Sequence, residues 1–149
     1  MSDTYNLQRF VDAQKPVYPQ VLEELRAGRK RSHWIWFIFP QLTGLGSSVM
    51  NQKFSIGSRL EAAAYLAHPV LGPRLRECTT LVNVIQGRSA HDIFGYPDDL
   101  KFRSSMTLFA NATDDSAVFN QALTKYYDGE PDQRTLELLV NQHGSDHSL

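Results

Sequence analysis

The chain has 149 residues, 42% hydrophobic and 21% charged, and its 15 basic and 16 acidic side chains give a formal net charge of −1. This length suits one domain, and the composition is that of a globular protein, which excludes disordered and membrane-embedded classes. A nearly neutral chain has no overall field to attract nucleic acid or an anionic membrane, so we expect neither as a partner.

The cellular location follows by elimination. The first residues lack the basic and apolar segments of a secretion signal, and no apolar run approaches the roughly 20 residues of a membrane span. Cys78 is the single cysteine, so no intrachain disulfide can form. We therefore expect a soluble, cytoplasmic protein.

The first part of the chain predicts two helices. Pro16 ends the first, and the second begins near Pro19, a residue that the first turn of a helix tolerates, and ends at Gly28. The apolar positions have the i, i+3, i+4 spacing of one buried face; they are Leu7, Phe10 and Val11, then Val21, Leu22 and Leu25.

The apolar run 34–39, which contains both tryptophans, is too short for its period to decide between a buried strand and a buried helical turn. A helical turn is favoured, because no convincing partner strand appears elsewhere. The glycine- and serine-rich stretch 43–48 that follows predicts a flexible loop.

The middle of the chain carries the clearest pattern. Ser58 and Glu61 fit a capping box at the start of a helix. Beyond Pro69, apolar residues alternate spacings of four and three and predict one buried helix face, which ends before Gly87. This stripe consists of Leu71, Leu75, Cys78, Val82 and Ile85. Within it, Cys78 is expected to be a small, unreactive core residue rather than a nucleophile.

The last third predicts further helices. Residues 89–94 suggest a short helical turn, and Asp98 and Asp99 favour a helix N-terminus after Pro97. Two later helices are expected, one closed by Gly129 and one capped by Asp132. The apolar faces of these three helices are Phe102, Met106 and Phe109; Phe119, Ala122, Leu123 and Tyr126; and Leu136, Leu139 and Val140.

These segments predict an all-α fold, a single compact domain of six or seven helices over residues 1–141. The remaining residues, 142–149, are polar and are expected to be a disordered tail.

Polar residues that could form a ligand site are concentrated between the second helix and the loop at 43–48. A basic cluster and a histidine supply charge, a tryptophan supplies a stacking face, and the loop supplies backbone amides and hydroxyls. Lys101 and Ser105 share a face of a later helix and would join the site only if that face meets the loop. The candidate residues are Lys30, Arg31, His33, Trp34, Ser47, Ser48, Lys101 and Ser105.

Each of these features also has an ordinary structural explanation. The basic cluster can complement the negative end of the preceding helix, Gly44-x-Gly46 can be a plain turn, and both tryptophans can pack in the core. The glycines form neither a dinucleotide-binding fingerprint nor a P-loop, and no Cys/His cluster has zinc-ligand spacing, so no metal is expected. No nucleophile and base are positioned to select a reaction, which leaves enzyme activity and cofactor open.

Three blocks of the sequence resemble a small family of uncharacterised bacterial proteins. They are the run 28–42 with its W-x-W-F-I-F-P-Q motif, the run 61–72, and residues 101–109 with K-x-x-S-S-M-T-L-F. Members are sometimes labelled calpastatin, a label that nothing in this sequence supports. The resemblance spans nearly the whole chain except the tail and implies a single all-α domain, without implying an activity.

Two functions of different classes remain. The first is a binding or enzymatic domain for a small anionic ligand, for example one that bears phosphate. The second is a non-catalytic protein-interaction or regulatory adaptor that uses an exposed apolar patch. A cleft that joins Lys30, His33, Ser48 and Lys101 favours the ligand, whereas dispersed polar residues beside a flat apolar patch favour the adaptor.

Overall fold

The computed structural model describes residues 3–147, with side-chain surroundings up to residue 142. Within this range the chain forms ten helices and one isolated parallel bridge between Leu42 and Ile56, and no strand. The all-α class is confirmed. The helices are α1 (Gln8–Gln14), α2 (Tyr18–Arg26), α3 (Ile35–Ile38), α4 (Val49–Phe54), α5 (Arg59–Ala67), α6 (Leu71–Asn83), α7 (Ala90–Phe94), α8 (Asp98–Ala110), α9 (Ala117–Tyr127) and α10 (Gln133–His147).

The predicted number of six or seven helices is wrong, because the described residues form ten. The helices α3, α4 and α7 have four, six and five residues. A helix this short completes fewer than two turns of about 3.6 residues each, so the sequence shows no repeating apolar pattern for it. The helix α4 instead depends on its cap, the Ser48 hydroxyl that accepts from the Asn51 amide at 3.1 Å.

Two longer helices organise the interior. The helix α6 packs against α2, α5 and α9, and α8 packs against α3, α5, α7, α9 and α10. Aromatic rings fill the space beside α8: the Phe102 ring lies 4.9 Å from the Phe39 ring and 4.7 Å from the Phe94 ring. Aromatic contacts at these distances add to the stabilisation from apolar burial, and they hold α3 and α7 against α8.

The predicted stripe on α6 is buried at Leu71, Leu75, Cys78 and Val82. Ile85 is only half-buried, since α6 ends at Asn83 and its final predicted position lies beyond the helix. On α10, Leu139 is buried, but Val140 is exposed, contrary to its expected inward position.

Cys78 is fully buried, and its Sγ lies 3.8 Å from the Tyr18 hydroxyl. Burial raises the pKa of the thiol to about 12, so the thiolate that reacts is scarce at neutral pH. We expect no labelling of the native protein by a thiol reagent at pH 8 and one equivalent of labelling in denaturant. Fast labelling of the folded protein would show that the thiol reaches solvent.

The apolar run 34–39 is helical at its centre, in agreement with the favoured prediction. Trp34 is the N-cap residue of α3 and is buried, and its indole nitrogen donates to the Glu24 carboxylate at 3.0 Å. Of the two conformations that the sequence left open, a buried strand and a buried helical turn, the structure shows the helical turn.

The segment 142–149, predicted as a disordered tail, overlaps α10, whose backbone continues to His147. Residues 148–149 lie outside the described residues, and the disorder of the segment stays a prediction. Among the described helices, none combines the length and the apolar character needed to cross a membrane.

Candidate functional site

A cleft of about 430 Å³ lies where the loop before α4 faces α8 and the start of α10; we call it the loop cleft. Ser47 and Ser48 line it from the loop, Lys101 from α8 and Arg134 from α10. These residues are far apart in the chain, so the cleft exists only once α8 and α10 have packed together.

The loop wall is anchored to the rest of the protein. The Thr43 amide donates to the Ile56 carbonyl at 2.8 Å, and the Asn51 side-chain amide donates to Gln41 Oε1 at 3.0 Å. A Cβ atom on Gly46 would lie 3.0 Å from the Asn51 side chain, so glycine permits this close approach. The backbone around Ser47 and Ser48 is thus held in place.

Two cations face this wall. Lys101 Nζ lies 3.5 Å from an oxygen of Asp98 and 5.2 Å from the centre of the Trp36 ring. Among the described residues, Arg134 makes only an exposed ion pair with Glu137, at 3.6 Å. Exposed pairs of this kind contribute little, so the Arg134 guanidinium can turn to a ligand at small cost.

Asp132 is the acidic residue lining the cleft. Its carboxylate already accepts from the Thr135 amide at 2.9 Å and from the Thr135 hydroxyl at 2.6 Å, and it caps α10. With two cations and this one hydrogen-bonded carboxylate, the described lining carries a formal excess of positive charge.

The cleft also presents polar groups that could bind a ligand. Ser47 Oγ and Gln41 Nε2 make no hydrogen bond to the part of the chain that the structure describes, and the Ser48 hydroxyl accepts without donating. These groups can donate to anionic oxygens. The described lining includes no histidine or cysteine, and its carboxylate already caps α10 through one oxygen, so the arrangement suits binding better than acid–base catalysis.

Only some of the predicted site residues lie together in the structure. It brings Ser47, Ser48 and Lys101 together in one cleft, and leaves Lys30 and His33 outside its lining. Lys30 is nevertheless close by, because its Nζ lies 2.7 Å from the second oxygen of Asp98, the residue that also pairs with Lys101.

The remaining predicted residues have other positions. Arg31 lines a different groove beside α2, and His33 is exposed. Trp34 is buried against Glu24, so its ring is not free to stack on a ligand. Ser105 is fully buried, and its hydroxyl has no partner among residues 3–142.

Sequence reasoning missed Arg134 and Gln41. Arg134 lies in the first turn of α10 and carries no motif, and Gln41 ends the W-x-W-F-I-F-P-Q block, which resembles a family without a known activity and so assigns it no role. Only the packing of α10 and α4 near α8 brings them to the loop. Within the described range, no three potential metal ligands of the His, Cys, Asp or Glu type are grouped, and the expected absence of a metal stays a prediction.

Comparisons with known proteins place the fold but name no activity. Residues 4–139 match a family described as "Protein of unknown function (DUF1810)". The chain is 62% identical to the conserved hypothetical protein Rv1873 from Mycobacterium tuberculosis, whose crystal structure was determined at 1.38 Å. The two align with a TM-score of 0.92 over 93% of this chain and 99% of that chain. The search of curated proteins finds no match.

Proposed function

The chain belongs to the DUF1810 family of proteins of unknown function, and from the geometry of the loop cleft we propose that it binds a small anionic ligand, such as one bearing a phosphate group. Membership agrees with the resemblance to an uncharacterised family. The motif blocks, the calpastatin label and the bacterial origin are not addressed by the match.

One observation carries this proposal: three segments distant in the chain bring two cations and two hydroxyls to one cleft. Lys101 and Arg134 provide the charge, and Ser47 and Ser48 the hydroxyls. Hydrogen bonds between cations and phosphate oxygens are stronger than neutral ones, and the arginine fork fits two such oxygens at once. The volume of about 430 Å³ lies within the range of small-molecule sites, roughly 300–1,000 Å³.

The adaptor hypothesis remains the alternative. It requires a contiguous exposed apolar patch. The large exposed apolar side chains of the described residues come from six separate positions, and one of these, Leu100, lines the loop cleft itself. They are Val49, Leu60, Val84, Tyr96, Leu100 and Val140. Their exposure alone does not identify one continuous patch, whereas the loop cleft has a defined polar lining, so the ligand hypothesis is preferred.

Pyrophosphate and ADP are suitable probes, because both present several anionic oxygens. We expect either probe to raise the melting temperature, since a ligand that binds only the folded state stabilises it by mass action. Lys101→Ala and Arg134→Ala should each weaken binding about 10- to 100-fold, because each removes a charge-assisted hydrogen bond of about 1.5–3 kcal/mol. Titration calorimetry at low salt measures the affinities.

The matched control is Lys15→Ala, which removes an exposed lysine at the end of α1, away from the loop cleft. It should leave the affinity unchanged. Arg134→Ala removes no buried contact, so it tests the cleft even if Lys101→Ala disturbs Asp98. Equal affinities for the wild type and both cleft variants would reject the loop cleft as the site.

A further inference from the structure

A second cleft, of about 470 Å³, lies between the segment after α2 and the helix α7; we call it the basic cleft. We propose that it is a second anion-binding site, at which Arg29 and Arg88 bind one phosphate or pyrophosphate group. It shares no lining residue with the loop cleft, so the proposal stands independently of the function proposed above.

The basic cleft has fixed walls. Gly28 has a φ of +76°, a conformation that favours glycine, and it turns the chain after α2 so that Arg29 follows at the rim. The Lys30 amide donates to the Ile93 carbonyl at 2.7 Å and joins this segment to α7. Arg88, just before α7, and His91, on α7, line the same cleft as Arg29 and can face it with little rearrangement.

The exposed Arg88 side chain lies across Gly28. A Cβ atom on Gly28 would lie 3.2 Å from Arg88 Nε and 3.3 Å from its Cδ, so the arginine side chain crosses directly over the glycine. The start of α7 next to it is closed by the capping box of Ser89 and Asp92. The Arg88 guanidinium therefore lies on the lining of the basic cleft and is open to solvent, where an anion can reach it.

The charges of the lining also leave the two arginines available. Lys30 is already paired with Asp98, with its side chain only 7% exposed. Asp92 accepts from the Ser89 amide at 3.0 Å, and its hydrogen bonds, together with the nearby positive charge of Arg88, lower the pKa of its carboxyl. Asp92 thus attracts Arg88 but forms no ion pair with it among the described residues. Neither guanidinium, of Arg29 or of Arg88, makes a hydrogen bond or ion pair within the described part of the chain.

His91 adds a polar group at the rim, and its Nδ1 lies 3.7 Å from a carboxylate oxygen of Asp99. Two guanidinium groups that have no partner in the described part of the chain match the oxygens of a phosphate, which arginine binds in pairs of parallel hydrogen bonds. A carboxylate offers fewer oxygens, so phosphate or pyrophosphate is the ligand class that this cleft fits best.

The test is a titration of the full chain with pyrophosphate at low salt, in which ¹H–¹⁵N NMR reports the response of each residue. We expect the amide signals of residues 28–30 and 88–95 to shift with saturation. The double variant Arg29→Gln/Arg88→Gln should weaken this response at least tenfold, and added salt of about 0.15 M should weaken it in the wild type, because screening then acts over about 8 Å. Arg59→Gln, an exposed arginine on α5, is the control.

The two clefts give separate readouts. Shifts at 46–48 that disappear in Arg134→Ala report the loop cleft, and shifts at 28–30 that disappear in the double glutamine variant report the basic cleft. The inference is overturned if pyrophosphate leaves the signals of 28–30 and 88–95 unmoved, or if these move equally in the double variant. Either result would be recognisable whether or not the loop cleft binds pyrophosphate.

Discussion

Replacing Glu24 by alanine is expected to destabilise the folded protein by about 3–5 kcal/mol. Glu24 is buried on α2 and accepts five hydrogen bonds. One oxygen binds the amides of Arg31 and Ser32 and the indole of Trp34, at 2.7, 3.0 and 3.0 Å. Alanine would leave all three donors without this acceptor, and an unpaired buried donor costs about 1–3 kcal/mol.

Chemical denaturation of the two proteins at pH 7 measures this difference. Glu24→Gln is the graded control, because its amide retains one accepting oxygen for the Arg31, Ser32 and Trp34 donors. It loses the charge and the second acceptor, which binds Gln20 Nε2 and the Ser32 hydroxyl. We expect it to cost about 1–2 kcal/mol, since hydrogen bonds to charged groups are stronger than neutral ones by about this amount. A loss below about 0.5 kcal/mol in the alanine variant would show that the 31–34 segment folds without this carboxylate.

The pH dependence provides a second readout of the same residue. Although burial opposes the charged form, the hydrogen bonds from Ser32, Arg31 and Trp34 outweigh it and lower the pKa of Glu24 to about 2 from its ordinary value of 4.5. Because the pKa of Glu24 is lower in the folded state than in the unfolded state, the ionised carboxylate stabilises the folded protein above pH 4.5. This stabilisation is lost as the pH falls towards 2. The difference in the free energy of unfolding between the wild type and Glu24→Gln should therefore be largest near pH 6 and should decrease below pH 4.5. A difference that does not change with pH would contradict the lowered pKa of Glu24.

Leu75→Ala is expected to lower the free energy of unfolding by about 2–5 kcal/mol. Leu75 is 1% exposed on α6, the helix that packs against α2, α5 and α9. Truncation removes buried methyl groups and leaves a cavity that three surrounding helices cannot all close. Denaturant titration of the wild type and the variant gives the difference in the free energy of unfolding.

The matched control for this prediction is Leu60→Ala. Leu60 lies on α5 and is 68% exposed, so the same chemical change removes little buried surface. We expect an effect within about 0.5 kcal/mol. If the two alanine variants had equal stability, the core face of α6 would be misassigned.

The candidate site was predictable only in part. Ser47, Ser48 and Lys101 carry types of residue that suggest anion binding, and the condition that Lys101 reach the loop is met in the loop cleft. Lys30 and His33 are near the loop in sequence but do not line that cleft, because Lys30 turns to Asp98 and His33 to solvent. Proximity along the chain is a poor guide to side-chain direction once a helix such as α3 intervenes.

The helical class and most of the buried face of α6 could be predicted from the amino-acid pattern, because apolar spacings of three and four specify a helix face within a few turns. The burial of Cys78 follows from its place in that stripe. The two clefts and their residues, such as Arg134 beside Ser47 and Arg88 across Gly28, arise from the packing of distant segments. Contacts between residues so distant in the chain depend on how whole helices pack, which no local pattern encodes.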